Sequence, residues 1–211
     1  MNQDTKKIID IDTWNRKEHF EFFRNFADPY FGYCVNIDCS QARQTARQKQ
    51  QSFYLTYLHA ATKAANSIEE FRTRYVAGQV VCYEQVNISP TVLRDDKTMG
   101  FSYIDYHPDF SIFSKNAQIE TARVKASTGL CLGEQPPNTL HATVIPWQSF
   151  SSIDHVRFGD EEDVVPKLAF GKTFEQDGKL MIPVSMHAHH AFMDGYHVGL
   201  FFERLEEYLQ Q

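Results

Sequence analysis

The stretch Met186-His187-Ala188-His189-His190-Ala191-Phe192-Met193-Asp194-Gly195-Tyr196-His197 puts four histidines and an Asp-Gly pair into twelve residues. It sits between two segments of different periodicity. Upstream, Lys179 to His187 has the β-branched and apolar content of a strand, and Asp177-Gly178 before it is a strong hairpin signal. Pro183 argues against a central strand there, because it has no ladder donor. Downstream, Val198, Phe201, Phe202, Leu205, Tyr208 and Leu209 fall on one stripe of a helix. The order is therefore strand, histidine-rich turn, helix. An imidazole at such a junction titrates near neutral pH and is suited to take a proton from an alcohol.

Working outward, Phe53, Tyr57, Ala61, Ala64, Ile68 and Phe71 recur at spacings of three and four, which predicts an amphipathic helix over 53–71. Val80 to Val86 predicts a strand. Pro136-Pro137 marks a turn, followed by a predicted strand over 141–147 that ends at Pro146-Trp147. Strands mixed with amphipathic helices predict an α/β or α+β fold, a mixed sheet with helices packed on it. No repeat, low-complexity tract or linker divides the chain, so residues 1–211 read as a single domain.

Composition narrows the function. The chain has 211 residues, is 42% hydrophobic and 14% aromatic, and has a formal net charge of -6. That balance offers no basic footprint for nucleic acid, and an anionic ligand would have to be met by a few local cations. Met1 to Trp14 lacks the pattern of a secretory leader, and no apolar run of about 18 residues predicts a membrane span. Cys34, Cys39, Cys82 and Cys131 lack C-x-x-C spacing and read as reduced thiols of a cytoplasmic protein.

The residues of the histidine stretch admit plainer readings. Asp194 suits the N-cap of the last helix, with Gly195 easing the turn. His187 and His189 alternate with His190 and suit ordinary hydrogen-bonded histidines. A metal site is also open, although no Asp, Glu or Cys lies at conventional ligand spacing.

His189-His190-Ala191-Phe192-Met193-Asp194-Gly195 resembles the H-H-x-x-x-D-G signature of chloramphenicol acetyltransferases and of the catalytic domains of dihydrolipoyl acyltransferases. Trp14-Asn15-Arg16-Lys17-Glu18-His19-Phe20 resembles the W-x-R-K/R-E-H-F block of the former. Ile145-Pro146-Trp147-Gln148-Ser149-Phe150 resembles their P-W-x-S-F block, and Tyr196-His197-Val198-Gly199 their G-F-H-V continuation. The blocks occur in the family's order and span nearly the whole chain.

The resemblance implies the coenzyme A-dependent acyltransferase fold, assembled as a homotrimer with active sites between subunits. It implies transfer of acetyl from acetyl-CoA to the primary hydroxyl of chloramphenicol, and no metal. His190 is then the general base, Asp194 its supporting carboxylate, and Arg16 a bidentate partner of Asp194. Thr143 stands where the family has an oxyanion-stabilising serine, and it keeps the O–H that role needs. Trp147 and Lys172 match positions near the coenzyme, and Phe22, Phe23 and Phe101 match the acceptor pocket. Four departures bear on the acceptor: Thr143 itself, Phe23 in place of a tyrosine, Ala169 in place of a threonine, and a shorter loop from Gly129 to Asn138. Another small hydroxyl or thiol acceptor remains an alternative, as does a non-enzymatic trimer using the histidines structurally or for metal.

Overall fold

A computed structural model describes residues 5–131, 133, 136–157 and 163–211, so part of the 129–138 loop lies outside the described residues. The described residues form ten strands: β1 Lys6–Ile8, β2 Tyr30–Asp38, β3 Thr73–Val76, β4 Gln79–Tyr83, β5 Asn87–Leu93, β6 Met99–Phe101, β7 Thr139–Val144, β8 Lys167–Phe170, β9 Phe174–Gln176 and β10 Lys179–His189. The helices are α1 Lys17–Phe23, α2 Ser40–Gln48, α3 Phe53–Asn66, α4 Glu69–Arg72, α5 Phe110–Ala126 and α6 Gly195–Leu209. The main sheet runs β2-β10-β8-β7-β5-β6, with β9 pairing beside β8 on β10, and β1-β4-β3 form a smaller sheet. Among the described residues only β5–β7 and β7–β8 are parallel, so the sheet is mixed as expected.

The predicted last helix is α6, with Val198, Phe201, Phe202, Leu205 and Leu209 buried. It packs beside α3, and the Phe71 and Phe201 rings stack 5.0 Å apart. The helix predicted over 53–71 breaks at Ser67. The break has a cause: the Asn66 amide donates to the carbonyls of Thr62 and Val86, and its oxygen accepts from the Val86 N–H at 2.8 Å. This clasp also takes Val86 out of the strand predicted over 80–86, which stops at Tyr83. Ile68 and Phe71 still reach the core, Phe71 from the short α4.

The 177–178 turn is the predicted hairpin. Asp177 at φ 52 and Gly178 at φ 76 give the left-handed pair that a two-residue β9–β10 connection needs. Pro183 corrects the sequence reading, for β10 is a central strand between β2 and β8. A strand residue's N and carbonyl face the same side, and the Pro183 carbonyl accepts from the Gly171 N–H. Its missing N–H therefore faces the bend between β8 and β9, where no ladder partner waits. Gly171 is tied to this spot, since a Cβ there would lie 2.6 Å from Pro183 Cγ and 2.9 Å from the Phe150 ring.

Candidate active site

The histidine stretch forms the exit of β10. Pairing with β2 continues to the His189–Tyr30 register position, and then the chain turns through His190–Met193. Ala191, Phe192 and Met193 are buried, which anchors the turn from beneath. Trp14 packs its ring on Phe20 and Phe192, bringing the Trp14–Phe20 block against the turn.

His190 is held at four points. Its backbone N–H donates to the Pro29 carbonyl at 2.8 Å, and its carbonyl accepts from Arg16 Nη2 at 3.3 Å. Its ring lies parallel to Phe23, with centroids 4.0 Å apart, and tilts against Phe31 at 4.6 Å. Nδ1 is buried without a hydrogen-bond partner among the described residues. Nε2 is therefore the nitrogen left to meet an alcohol.

The two oxygens of Asp194 have different partners. Oδ1 caps α6 by accepting from the Tyr196 N–H at 3.0 Å, and it lies 3.0 Å from His197 Nδ1. Oδ2 accepts from Arg16 Nη1 at 3.0 Å. Arg16 is buried. Its fork is not bidentate on the carboxylate: one arm holds Asp194 and the other the His190 carbonyl. Burial raises the Asp194 pKa, but Arg16, His197 and the Tyr196 N–H together hold it below its ordinary value. Sequence reasoning missed Phe31, Pro29 and Glu70, whose Oε1 lies 3.3 Å from His197 Nε2. No local motif marks them.

The other histidines are engaged elsewhere. His189 is buried, and its Nδ1 accepts from the Ala191 N–H; desolvation lowers its pKa to about 4. His187 contacts Arg157, which also pairs with Asp28. Among the described residues, no group of three or more His, Cys, Asp or Glu is arranged to hold a metal.

Thr143 lies apart, on β7. It lines a cavity with Ser89, Thr91, Phe101, His141 and His155. Thr143 is in register with Ala169 of β8, which is in register with Ser185 of β10. Ser185 is five residues before His190 and two strands from Thr143, so at ~3.4 Å per residue and ~4.8 Å per strand the two positions are ~19 Å apart within one chain. The predicted site thus falls into two halves. His190 gathers Arg16, Asp194, Phe23 and, through Phe23, the exposed Phe22. Thr143 gathers Phe101. Trp147 is 61% exposed just beyond β7, and the neighbouring Gln148 carbonyl accepts from the Lys172 N–H, so the two predicted coenzyme contacts sit on adjoining exposed segments.

The chloramphenicol acetyltransferase family model matches residues 4–206. A chloramphenicol acetyltransferase of Clostridium perfringens is 30% identical over 204 residues, covering 95% of this chain and 93% of that protein. One of Proteus mirabilis is 28% identical over 213 residues, covering 99% and 98%. A solved chloramphenicol acetyltransferase structure superposes with a TM-score of 0.89 at 32% identity, covering 97% of this chain and 100% of that one. Match length, block order and superposition agree that the chain belongs to the chloramphenicol acetyltransferase family.

Proposed function

We propose that this protein transfers the acetyl group of acetyl-CoA to the primary hydroxyl of chloramphenicol, giving resistance to the drug, with His190 as general base. The observation that carries the reading is the His190 turn. The imidazole is pinned through both backbone groups, clamped between two phenylalanines, and left with one nitrogen for an alcohol. Nε2 takes the hydroxyl proton as the oxygen attacks the thioester carbonyl, and the Thr143 hydroxyl donates to the oxygen that gains charge; the adduct then collapses with cleavage of the C–S bond, and the proton on Nε2 passes to the departing coenzyme A thiolate. Arg16 and Asp194 touch no reacting atom in this scheme; they hold the turn.

With the two halves ~19 Å apart in one chain, the reading needs a second copy, so that His190 of one subunit faces the Thr143 cavity of another in a homotrimer. Three features support assembly. β2 has no partner on its outer side among the described residues, and such an edge is a template for another chain. Phe22 and Phe26 stand 61% and 49% exposed beside Phe23 and His190. Val156, at the rim of the Thr143 cavity, is 95% exposed. Phe22, Phe23 and Phe101 then bound the acceptor, while Trp147 and Lys172 meet the coenzyme. Cytoplasmic placement fits the four free thiols and the acetyl-CoA supply.

Thiol release from acetyl-CoA, followed with and without chloramphenicol, tests the reading. Wild type should show drug-dependent release, and His190→Ala should lose about 10²–10⁴-fold, the usual contribution of a general base. Release that ignores the drug, or a folded His190→Ala with full activity, would overturn it. Sedimentation of the wild type as a monomer at assay concentration would remove the shared-site arrangement.

A further inference from the structure

His141 lies two residues before Thr143 on β7, so the two side chains leave the same face of the sheet, with Cα atoms about 7 Å apart. Both line the one cavity. Its ring makes no hydrogen bond to a described residue, yet neither nitrogen is sealed from open space. A largely buried imidazole left this way in a cavity wall is short of a partner. Beside it, Ser89 is its register neighbour on β5 and Lys167 its register neighbour on β8.

The surroundings define what would complete it. Desolvation, aided by the charges of Lys167 and Arg74, lowers the His141 pKa to about 4, so the ring is neutral at physiological pH and a weak base. It can still donate from one nitrogen and accept at the other. A cationic ligand would meet Lys167 in the cavity wall, its charge offset by Asp163, and behind the wall the charge of the fully buried Arg74, which is paired among the described residues with backbone carbonyls alone. An anion would find Lys167 already donating to Asp163 at 2.7 Å, to the Tyr30 hydroxyl at 3.1 Å and to the Val165 carbonyl at 3.3 Å, with no proton to spare. What remains is a neutral group that both donates and accepts, which describes a hydroxyl.

We infer that His141 is a specificity-determining residue, hydrogen-bonding a second hydroxyl of the acceptor while the first reacts beside Thr143, so that the site selects neutral diols. The inference rests on the acetyl-transfer reading and adds an acceptor class to it. Chloramphenicol meets the requirement, since it carries a secondary hydroxyl a few bonds from the primary one.

The test compares chloramphenicol with its analogue lacking the secondary hydroxyl, using wild type, His141→Asn and His141→Phe. Wild type should prefer the diol by about tenfold in kcat/KM, the value of one hydrogen bond. His141→Phe should lose about that factor on the diol, mostly in KM, and treat the two acceptors alike, with KM for acetyl-CoA unmoved. His141→Asn, which keeps a donor and an acceptor, should retain part of the preference. A wild type without preference, or a His141→Phe variant with the wild-type ratio, overturns the inference; should that variant not fold, a full wild-type ratio in His141→Asn at unchanged KM does so. If chloramphenicol is not acetylated at all, the substrate reading has failed. The same ratio is then read on small diols against matched mono-alcohols, and absence of any diol preference overturns the inference as well.

Discussion

The His190 turn and the Thr143 cavity are built in opposite ways. At the turn, the two arms of a buried guanidinium, a carboxylate, a helix N-terminus and two backbone carbonyls bond one another within the chain, with Arg16 Nε and His190 Nδ1 left over among the described residues. At the cavity, hydroxyls and an imidazole project from β5 and β7 with open space in front of them. The turn is a finished mechanical part whose base needs nothing further to be held. Lys167 and Asp163 pair with each other in the cavity wall, but the hydroxyls and the His141 imidazole gain full partners only from a ligand or a second subunit. Perturbing the turn should therefore change folding and rate together, whereas perturbing the cavity should change rate alone.

Thr143→Ala gives the largest expected separation. Loss of an oxyanion donor costs about 10²–10³-fold in kcat, while an exchange at a half-buried strand position should leave the urea midpoint nearly unmoved. Thr143→Ser should keep most of the rate, because it keeps the O–H and sheds only the methyl that restricts χ1. If Thr143→Ala were as destabilised as it is slow, the cavity would be structural and the contrast would fail.

Asp194→Ala tests the other half. It leaves Arg16 buried with only the His190 carbonyl as acceptor, and it also strips the cap of α6. Because the carboxylate is partly exposed, the loss should fall below the 3–5 kcal/mol of a fully buried pair, at about 2–3 kcal/mol. Chemical denaturation measures it, and kcat should fall in parallel. The effect has a pH signature. Asp194 is depressed in the fold, so its stabilisation is complete above its ordinary value of 3.8 and is lost as pH falls through the lower folded value. The gap between wild type and Asp194→Asn should be flat at neutral pH and close only in that acidic window.

The desolvated histidines give an effect of the same kind, spread over a different range. His189, His141 and His155 all sit at about 4 in the fold, from an ordinary 6.5, chiefly through desolvation. Between those values the unfolded chain binds protons that the folded chain refuses, so stability falls as pH drops from 6.5 toward 4. His189→Asn should reduce that slope by one proton, about 1.4 kcal/mol per pH unit. An unchanged slope would show that His189 protonates freely in the fold.

The contrast also explains what could be read from residues alone. The turn was legible because its members are short-range: His190, Asp194 and Gly195 lie within six residues, and the Arg16 block carries its own pattern. The α6 stripe was legible for the same reason. What escaped depends on pairing. The Asn66–Val86 clasp joins residues twenty apart and redrew two element ends. Pro183 fits a central strand only because of which side its carbonyl faces. The cavity draws on β5, β6 and β7, so His141 could not be matched with Phe101 until the strand order was known.

The smallest expected effect probes how the base is held sideways. Nδ1 of His190 has no described partner, so lateral restraint comes from Phe23 and Phe31 and not from a hydrogen bond. Phe23→Leu keeps apolar volume but gives up the parallel ring. An aromatic pair adds about 0.5–1.5 kcal/mol beyond area burial, so a loss of about three- to tenfold in kcat is expected if that energy goes into orienting the ring. Stability should change less, because Phe23 is itself only partly buried. Phe23→Tyr, which retains the stack, should stay within a factor of two of wild type. A Phe23→Leu enzyme with unchanged kcat would mean that the backbone anchors at Pro29 and Arg16 suffice, and the turn would then be more self-contained than its aromatic clamp suggests.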